Sequence, residues 1–381
     1  MSNGENKPDD ISYSSISPEM ISEEERLKLT DKYVPVLFGF YYNNIFIVVT
    51  VPERFEFAKL FNESKSKGFY VTRIRVPSKE LVKILAPQSH SYLTEHEYVF
   101  LIRFIPIPHQ ESRKSKNILN VILFFSTIAT VLLAGWFFSI RYSSNVGGNF
   151  IFDMLSYVLG LMTIICAHEM GHYLIARHHG IASTLPYFIP GLPWSGGTFG
   201  AFISQKDPFI DRKTMLDIGA AGPLSGFVPA LFIYILGLPL SKITPISAVE
   251  NGVFLPTPIL LYVIMEFTRP IPPGYVLLLH PLALAGYIGI LITGLQTIPA
   301  GQLDGGHVAR ALFSERTHLY LGYISLLFLA LLGYWSFAIL VLFLASKPHP
   351  PPLDEVEPLP PARKIIAAFV IVIGILCLVG L

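Results

Sequence analysis

The chain is poor in charge and in cysteine. Only 14% of its 381 residues are charged and the formal net charge is +1, so no global field favours nucleic acid or an acidic partner. Its two cysteines, Cys166 and Cys377, both lie in apolar segments, which argues against a disulfide framework and against a thiolate zinc site. The N-terminus lacks a basic region followed by an apolar core, so no cleavable signal peptide is expected.

Long apolar runs are what the chain does have. Hydrophobic residues make up 52% of it and the mean hydropathy is +0.52, which is too apolar for an ordinary soluble protein. The pattern is compatible with five to seven membrane spans. Ahead of them, an alternating run at Phe69–Val76 and a helix opening at Pro52 indicate strands and helices in one small domain. The sequence therefore predicts a polytopic α-helical membrane protein with a small soluble α+β N-terminal domain.

Composition changes divide the chain into five expected segments. They are a polar, disordered tail (1–31), the soluble α+β domain (32–112), a transmembrane core (113–346), a Pro-rich acidic linker (347–363) and a C-terminal transmembrane helix (364–381). The basic residues Arg113, Lys114 and Lys116 precede the first span, so the positive-inside rule places the soluble domain on the cytoplasmic side. His178 and His179, at the end of the second span, are expected to be exposed at the interface.

A short polar motif interrupts that second span. His168, Glu169 and His172 form the motif HEMGH within the apolar stretch from about Leu155 to Ala176. On a helix, positions i and i+4 share one face, so the two imidazoles can bind one Zn²⁺ while the glutamate serves as a general base. Burying these groups among apolar side chains is costly unless a ligand or partner compensates. The motif predicts a zinc-protease site; a polar helix contact, a heme site and a structural metal site are the alternatives.

A third zinc ligand has to come from elsewhere, since catalytic zinc usually has three protein ligands and one open position. Asp304 is the leading candidate, because it follows a span that should end at the depth of the two histidines. Pro299 breaks that helix, and Gly305 and Gly306 allow a tight backbone beside the carboxylate. His307 is the rival ligand, but it lies farther from the span.

The connection between residues 180 and 213 is too rich in proline and glycine to be one regular helix. Thr198–Ser204 (TFGAFIS) can form a short strand whose free edge would pair with an extended substrate, and a surface loop is equally compatible with it. Thr198, Phe199 and Gly200 are therefore candidate substrate-binding residues. The next span opens with GAAGPLSG, whose small residues allow close packing against the helix that carries the motif.

Three segments together carry a family resemblance. HEMGH in one span, GAAGPLSG in another and HPLALAGYIGILITGLQTIPAGQLDGGH across a later one resemble the site-2 protease family of intramembrane zinc metalloproteases, over roughly Ser156 to Arg310. The soluble N-terminal domain and the TFGAFIS stretch resemble the archaeal and chloroplast-type branch. The resemblance implies that His168, His172 and Asp304 are the zinc ligands and that Glu169 is the catalytic acid and base.

One position departs from the family pattern. Members often carry asparagine three residues before the proline that matches Pro299, where this chain has Gln296. Glutamine also donates an amide hydrogen bond, so altered detail rather than lost activity is expected. Gln296 is accordingly a candidate for contact with the substrate backbone or the oxyanion.

The resemblance implies a metalloprotease core in residues 113–346 that holds one Zn²⁺ per chain and hydrolyses peptide bonds in or near transmembrane segments. Membrane-tethered regulatory proteins are the expected substrates, within a lipid bilayer and without nucleic acid; the sequence does not define the oligomeric state. The active site and the N-terminal domain are expected to face the cytoplasm of a prokaryote, in its plasma membrane. An inactive family member that binds membrane helices and a metal transporter are the alternative functions.

Overall fold

The structure, a computed structural model, describes residues 22–43, 45–85, 89–107, 117–249, 255–345 and 349–380. The chain divides into two compact units, residues 1–109 and 110–381, at a boundary three residues before the one expected from the sequence. The basic group Arg113, Lys114 and Lys116 lies outside the described residues.

The N-terminal unit is a four-stranded antiparallel sheet with helices packed on it, in the strand order β1-β2-β4-β3. Strand β2 is central and carries the buried side chains of Val48 and Val49, whereas α2 buries Phe57, Leu60 and Phe61. Its elements are α1 (Glu23–Asp31), β1 (Val36–Tyr42), β2 (Ile45–Thr50), α2 (Phe57–Ser66), β3 (Phe69–Pro77), α3 (Ser78–Val82), α4 (His90–Thr94) and β4 (Tyr98–Pro106).

Residues 23–31 differ from the expectation of a disordered tail, because they form α1. Ser22 and Glu25 make a reciprocal capping box, in which each side chain accepts a hydrogen bond from the backbone N–H of the other. Leu29 is buried, which attaches the helix to the domain. The sequence did not predict this helix because its composition is polar, and most of its side chains face solvent.

The second unit is mostly helical. Its elements are α5 (Asn117–Val146), α6 (Phe150–His178), β5 (Tyr187–Pro190), β6 (Thr198–Phe202), α7 (Arg212–Gly237), β7 (Lys242–Pro245), α8 (Ile259–Thr268), β8 (Tyr275–Leu278), α9 (Pro281–Gln296), α10 (Asp304–Leu312), α11 (Glu315–Leu331), α12 (Trp335–Ala345) and α13 (Pro361–Leu378). Among the described residues, α5, α6, α7 and α13 are long and apolar enough to span a membrane. A helical chain with candidate spans and a small sheet-bearing N-terminal unit is thus confirmed, and its membrane character rests on the length and composition of these helices.

Helices α6, α7 and α9 pack together as the centre of this unit. Their interfaces use small residues: a Cβ on Gly286 would lie 2.4 Å from the backbone N of Tyr234, and one on Gly237 would lie 2.2 Å from the backbone N of Ala283. At the end of the bundle away from HEMGH, His280 donates from Nε2 to Asp153 Oδ1 at 2.9 Å, which joins the first residues of α6 and α9.

Two shorter segments show how the remaining apolar runs fold. The residues just before α8 lie beside the middle of α9, where the Tyr287 hydroxyl donates to the Pro256 carbonyl at 2.8 Å. The apolar run 319–345 forms most of α11 and all of α12. Gly333 lies between them with φ +83°, a left-handed conformation that ends a helix.

The segment between α12 and α13 connects these two helices and also forms hydrogen bonds and an ion pair with the rest of the unit. The backbone N–H groups of Leu353 and Asp354 donate to the carbonyls of Phe209 and Ile210, each at 2.9 Å. Glu355 then pairs with the buried guanidinium of Arg310. Helix α13 begins at Pro361, three residues before the expected start, because proline is favoured in the first turn.

Candidate metal centre

Three side chains from two distant parts of the chain converge within the helical unit. Asp304 Oδ2 lies 3.1 Å from His168 Nε2 and 3.2 Å from His172 Nε2. The two Nε2 atoms are 3.2 Å apart, and each of the three side chains is buried or nearly so. Among the described residues, this is the group of three whose ligand atoms are close enough together to hold one metal ion.

Helix geometry places the two histidines. His168 and His172 are one turn apart on α6, so their imidazoles lie on one face, with ring centroids 4.9 Å apart. The Nδ1 of His172 donates to the Ile218 carbonyl of α7 at 2.8 Å, which directs the Nε2 lone pair at the centre of the group. The fixed orientation lowers the entropy lost when a metal binds.

Glycines on α7 make room for these rings. A Cβ on Gly222 would lie 2.0 Å from His172 Nε2, and a Cβ on Gly226 would lie 3.0 Å from the Cβ of His168. Ser225, between them, donates its hydroxyl to the Ala167 carbonyl of α6 at 2.9 Å, so α6 and α7 are in close contact at this level. The GAAGPLSG segment therefore packs against the HEMGH helix, as its small residues indicated.

Asp304 reaches the histidines because a tight turn separates α9 from α10. A Cβ on Gly305 would lie 2.0 Å from the Thr297 carbonyl, and one on Gly306 would lie 2.4 Å from the Gly301 carbonyl. Only glycine fits at these two positions without moving the turn. The first residue of α10 is thereby held against α6.

The rival ligand, His307, is directed elsewhere. Its Nδ1 donates to His349 Nε2 at 2.6 Å, and its ring contacts Phe209. His307 is therefore outside the group formed by the other three side chains.

Glu169 follows His168 on α6 and is 4% exposed. Its carboxylate makes no hydrogen bond or ion pair with another described residue. It is buried in the same helix turn as the two imidazoles.

The other candidate site residues belong to β6 and to the end of α9. Strand β6, with Thr198, Phe199 and Gly200, pairs with β5 and packs against α5 and α6. Thr198 is buried and binds within its own hairpin, through Oγ1 to the Ile189 carbonyl, whereas Phe199 is 63% exposed. Gln296, the last residue of α9, is half-buried and forms no side-chain hydrogen bond with another described residue.

One polar contact near the centre was not anticipated. His179, expected to be exposed, lies 3.1 Å from Asp217 Oδ2, and Arg363 binds both oxygens of the same carboxylate at 3.3 Å. The contact joins α6, α7 and α13. Sequence reasoning missed it because the three residues are far apart along the chain and belong to no common motif.

Comparison with known proteins adds a family match. The sequence profile of peptidase family M50 matches residues 156–332. The chain is 30% identical to the probable zinc metalloprotease EGY2, chloroplastic, of Arabidopsis thaliana, over 236 residues that cover 60% of this chain and 42% of the relative. It is also 30% identical to the probable zinc metalloprotease EGY1, chloroplastic, of the same plant, over 60% of this chain and 43% of the relative.

The chain thus spans less than half the length of these relatives. No solved structure matches it. Because the matched relatives are named as chloroplastic, the expectation of a prokaryotic plasma membrane is not supported.

Proposed function

Given that residues 156–332 form a peptidase family M50 domain, the domain of site-2 proteases, we propose that this protein is a zinc metalloprotease that cleaves other proteins in or near their transmembrane segments. The resemblance drawn from the three motifs is confirmed at the level of the family. The observation that carries the proposal is the meeting of His168, His172 and Asp304 beside Glu169, in helices of membrane-spanning composition.

The three side chains fit zinc. Ligand atoms bound tetrahedrally at about 2.0–2.1 Å from one ion lie about 3.3 Å apart. The distances among His168 Nε2, His172 Nε2 and Asp304 Oδ2 are 3.1, 3.2 and 3.2 Å. Two imidazoles and one carboxylate are also a usual ligand set of catalytic zinc. When bound, Zn²⁺ supplies Lewis acidity toward a carbonyl oxygen and lowers the pKa of a water.

Glu169 would carry the proton. As general base its carboxylate takes a proton from the attacking water, and as general acid it gives that proton to the leaving amine. His172 keeps its proton on Nδ1, which donates it in a hydrogen bond to the Ile218 carbonyl, so this nitrogen does not compete with Glu169 as a base.

The substrate would lie along strand β6. Its two-stranded sheet leaves one edge of β6 without a strand partner among the described residues, and Phe199 offers an exposed apolar contact. The amide of Gln296 would bind the substrate backbone near the end of α9. Cleavage requires an extended backbone, because helical carbonyls are held in hydrogen bonds, so substrate helices that contain glycine or proline are favoured. Membrane-tethered regulatory proteins fit this requirement.

The metal centre would face the cytoplasmic side of the membrane. In the helical unit, basic side chains are more numerous at the end of the bundle that carries the metal centre. Short connections rich in basic residues stay on the cytoplasmic side of a membrane. At that end lie Arg177, Lys206, Arg212, Lys213, Arg310, Arg316, Arg363 and Lys364, whereas Arg141, Lys242 and Arg269 lie at the other end.

The test is cleavage of a model transmembrane substrate by the full chain purified in detergent. Glu169→Gln keeps the size of the side chain but removes the base, so we expect cleavage to fall by at least about 100-fold while bound zinc stays at the wild-type level. Glu266→Gln is the matched control, because Glu266 is an exposed carboxylate on α8, and it should cleave normally.

Two results would contradict the proposal. If Glu169→Gln binds zinc and still cleaves, the glutamate is not the base. If the wild type binds zinc without cleaving any substrate whose helix contains glycine or proline, the chain is a binding protein or a transporter rather than a protease.

A further inference from the structure

The carboxylate of Asp304 depends on its own helix for its position. Among the described residues, its hydrogen-bond partners are His168 and His172, the two side chains that it would join on the metal. The distances between zinc and its ligands vary by only about 0.2 Å, so a small movement of α10 would weaken the binding of zinc. The contacts that hold α10 therefore control the third ligand.

Helix α7 holds one side of α10. A Cβ on Gly219 of α7 would lie 2.7 Å from the Cβ of His307 and 2.9 Å from the carbonyl oxygen of Asp304, so the two helices are in close contact there. Glycine allows this approach but has no side chain that interlocks with α10. Other side-chain contacts are needed to fix α10 along its axis.

The segment between α12 and α13 supplies two such contacts. His307 Nδ1 donates to His349 Nε2 at 2.6 Å, and the Arg310 guanidinium pairs with Glu355. His307 and Arg310 are three residues apart, so they are neighbours on the surface of α10. The side chains of His349 and Arg310 are 2% and 3% exposed, so both contacts involve a group shielded from water. Residues 349–355, the connecting segment, therefore bind α10 at two points one turn apart.

The hydrogen bond between the two histidines has a defined direction. His349 Nδ1 donates to the Pro350 carbonyl at 2.8 Å, and burial lowers the pKa of this histidine to about 4, so its Nε2 is a lone-pair acceptor. The donor is therefore His307 Nδ1. Phe209 packs beside both rings, with ring centroids 5.1 Å from His307 and 6.4 Å from His349. Backbone and apolar contacts thus hold the pair in one arrangement.

The connecting segment is itself attached to the start of α7. Its backbone N–H groups at residues 353–354 donate to the carbonyls of residues 209–210, which shortly precede that helix. Helix α7 also carries the Ile218 carbonyl that orients His172. The connecting segment therefore joins the helix of the third ligand to the helix that orients the second one.

We propose that the connecting segment holds the third zinc ligand in place, with His349 and Glu355 as positioning residues that act on Asp304 through His307 and Arg310. The inference rests on the zinc centre of the proposed function and extends it to residues 349–355, which lie beyond the stretch 156–332 that matches the family. A change in this segment alters the metal centre without contacting the metal.

The test measures the zinc affinity of the full chain in detergent, by titration against a competing chelator. His349→Phe fills the buried space but removes the acceptor, so the affinity should fall about 10-fold, the lower end of the range for losing a group that supports a metal ligand. His349→Gln keeps an acceptor oxygen near the position of Nε2, so it should restore most of the affinity.

His280→Phe is the matched control. It removes another buried histidine, one that donates to Asp153 at the end of the bundle away from the metal centre. It should lower the midpoint of thermal unfolding and leave the zinc affinity unchanged. An equal fall of affinity in His280→Phe and His349→Phe would overturn the proposal, because it would show a general loss of stability.

A double variant tests whether His349 acts through His307. His307→Phe should weaken zinc binding as much as His349→Phe does, and the two changes together should be no worse than either alone, because each breaks the same hydrogen bond. If the fold-changes of the two single variants multiply in the double variant, the two residues act independently and the proposed link is wrong.

Glu355→Gln keeps the proposal testable if His349→Phe does not fold, as judged by gel filtration and circular dichroism. It leaves the buried Arg310 cation without its carboxylate and should also lower the zinc affinity, whereas Glu266→Gln, in an exposed part of α8, should not. Wild-type affinity in Glu355→Gln or in a folded His349→Phe would overturn the proposal.

Failure of this proposal can be told apart from failure of the proposed proteolysis, because zinc affinity is measured without a substrate. Unchanged affinity in these variants overturns the positioning role alone. A wild-type chain that binds no zinc overturns both proposals.

Discussion

At the scale of residues, the metal group shows which parts of a site a sequence can predict. His168 and His172 are one helical turn apart, so a sequence that predicts the helix also predicts that they share a face. The Ile218 carbonyl that orients His172 could not be predicted, because it is a backbone group on another helix. Gly222 belonged to a small-residue segment, but its contact with the imidazole depends on the register of α7 against α6.

Gly222 gives a prediction that depends on this register. In Gly222→Ala, the new Cβ would lie 2.0 Å from His172 Nε2, so the ring must turn and the zinc affinity should fall about 10- to 100-fold. Gly226→Ala should have a smaller effect, since its Cβ would lie 3.0 Å or more from His168. Gly135→Ala, in α5, is the control outside the site and should leave affinity unchanged. Zinc titration with a competing chelator measures all three; wild-type affinity in Gly222→Ala would refute the described contact.

At the scale of elements, long apolar runs predicted membrane-spanning helices, and α5, α6 and α7 have the length and composition of such helices. The weak points were short or polar elements. Helix α1 was missed because its sequence is polar and it buries little besides Leu29 and Thr30. Local composition cannot report contacts that form only in the folded chain.

Asp217 tests how three elements are held together. Asp217→Asn removes the charge that pairs with His179 and Arg363, and both partners are mostly buried. A hydrogen-bonded charge in such a place contributes about 1–3 kcal/mol, so the midpoint of thermal unfolding in detergent should fall. The zinc content measured at saturating zinc should stay at the wild-type level, because Asp217 is not a ligand. Glu266→Gln removes an exposed carboxylate and should leave the midpoint unchanged; an equal fall in both variants would show that the three-way contact is not stabilising.

At the scale of the whole molecule, the sequence predicted a small α+β unit followed by a helical one, and the chain forms two compact units, residues 1–109 and 110–381. It also predicted that HEMGH and the aspartate would lie at the same depth, which follows from counting spans with alternating direction. It could not show how the segment before α13 returns to residues 209 and 210, since backbone pairing carries no composition signal. The same segment brings His349 within hydrogen-bonding distance of His307, a contact that no sequence motif indicated.

The direction of the bundle in the membrane gives the prediction for the molecule as a whole. Lys206 is exposed at the end with the metal centre, and Lys242 is exposed at the opposite end. In a chain with Cys166→Ala and Cys377→Ala, a single Lys242→Cys should react with a membrane-impermeant maleimide in intact bacterial cells that express the protein. Lys206→Cys, the matched variant, should react only after the cells are permeabilised, because basic connections are retained on the cytoplasmic side. The reverse labelling pattern would place the metal centre toward the outer face of the membrane. The basic residues at the same end of the bundle would then have been translocated, which contradicts the charge rule used for the orientation.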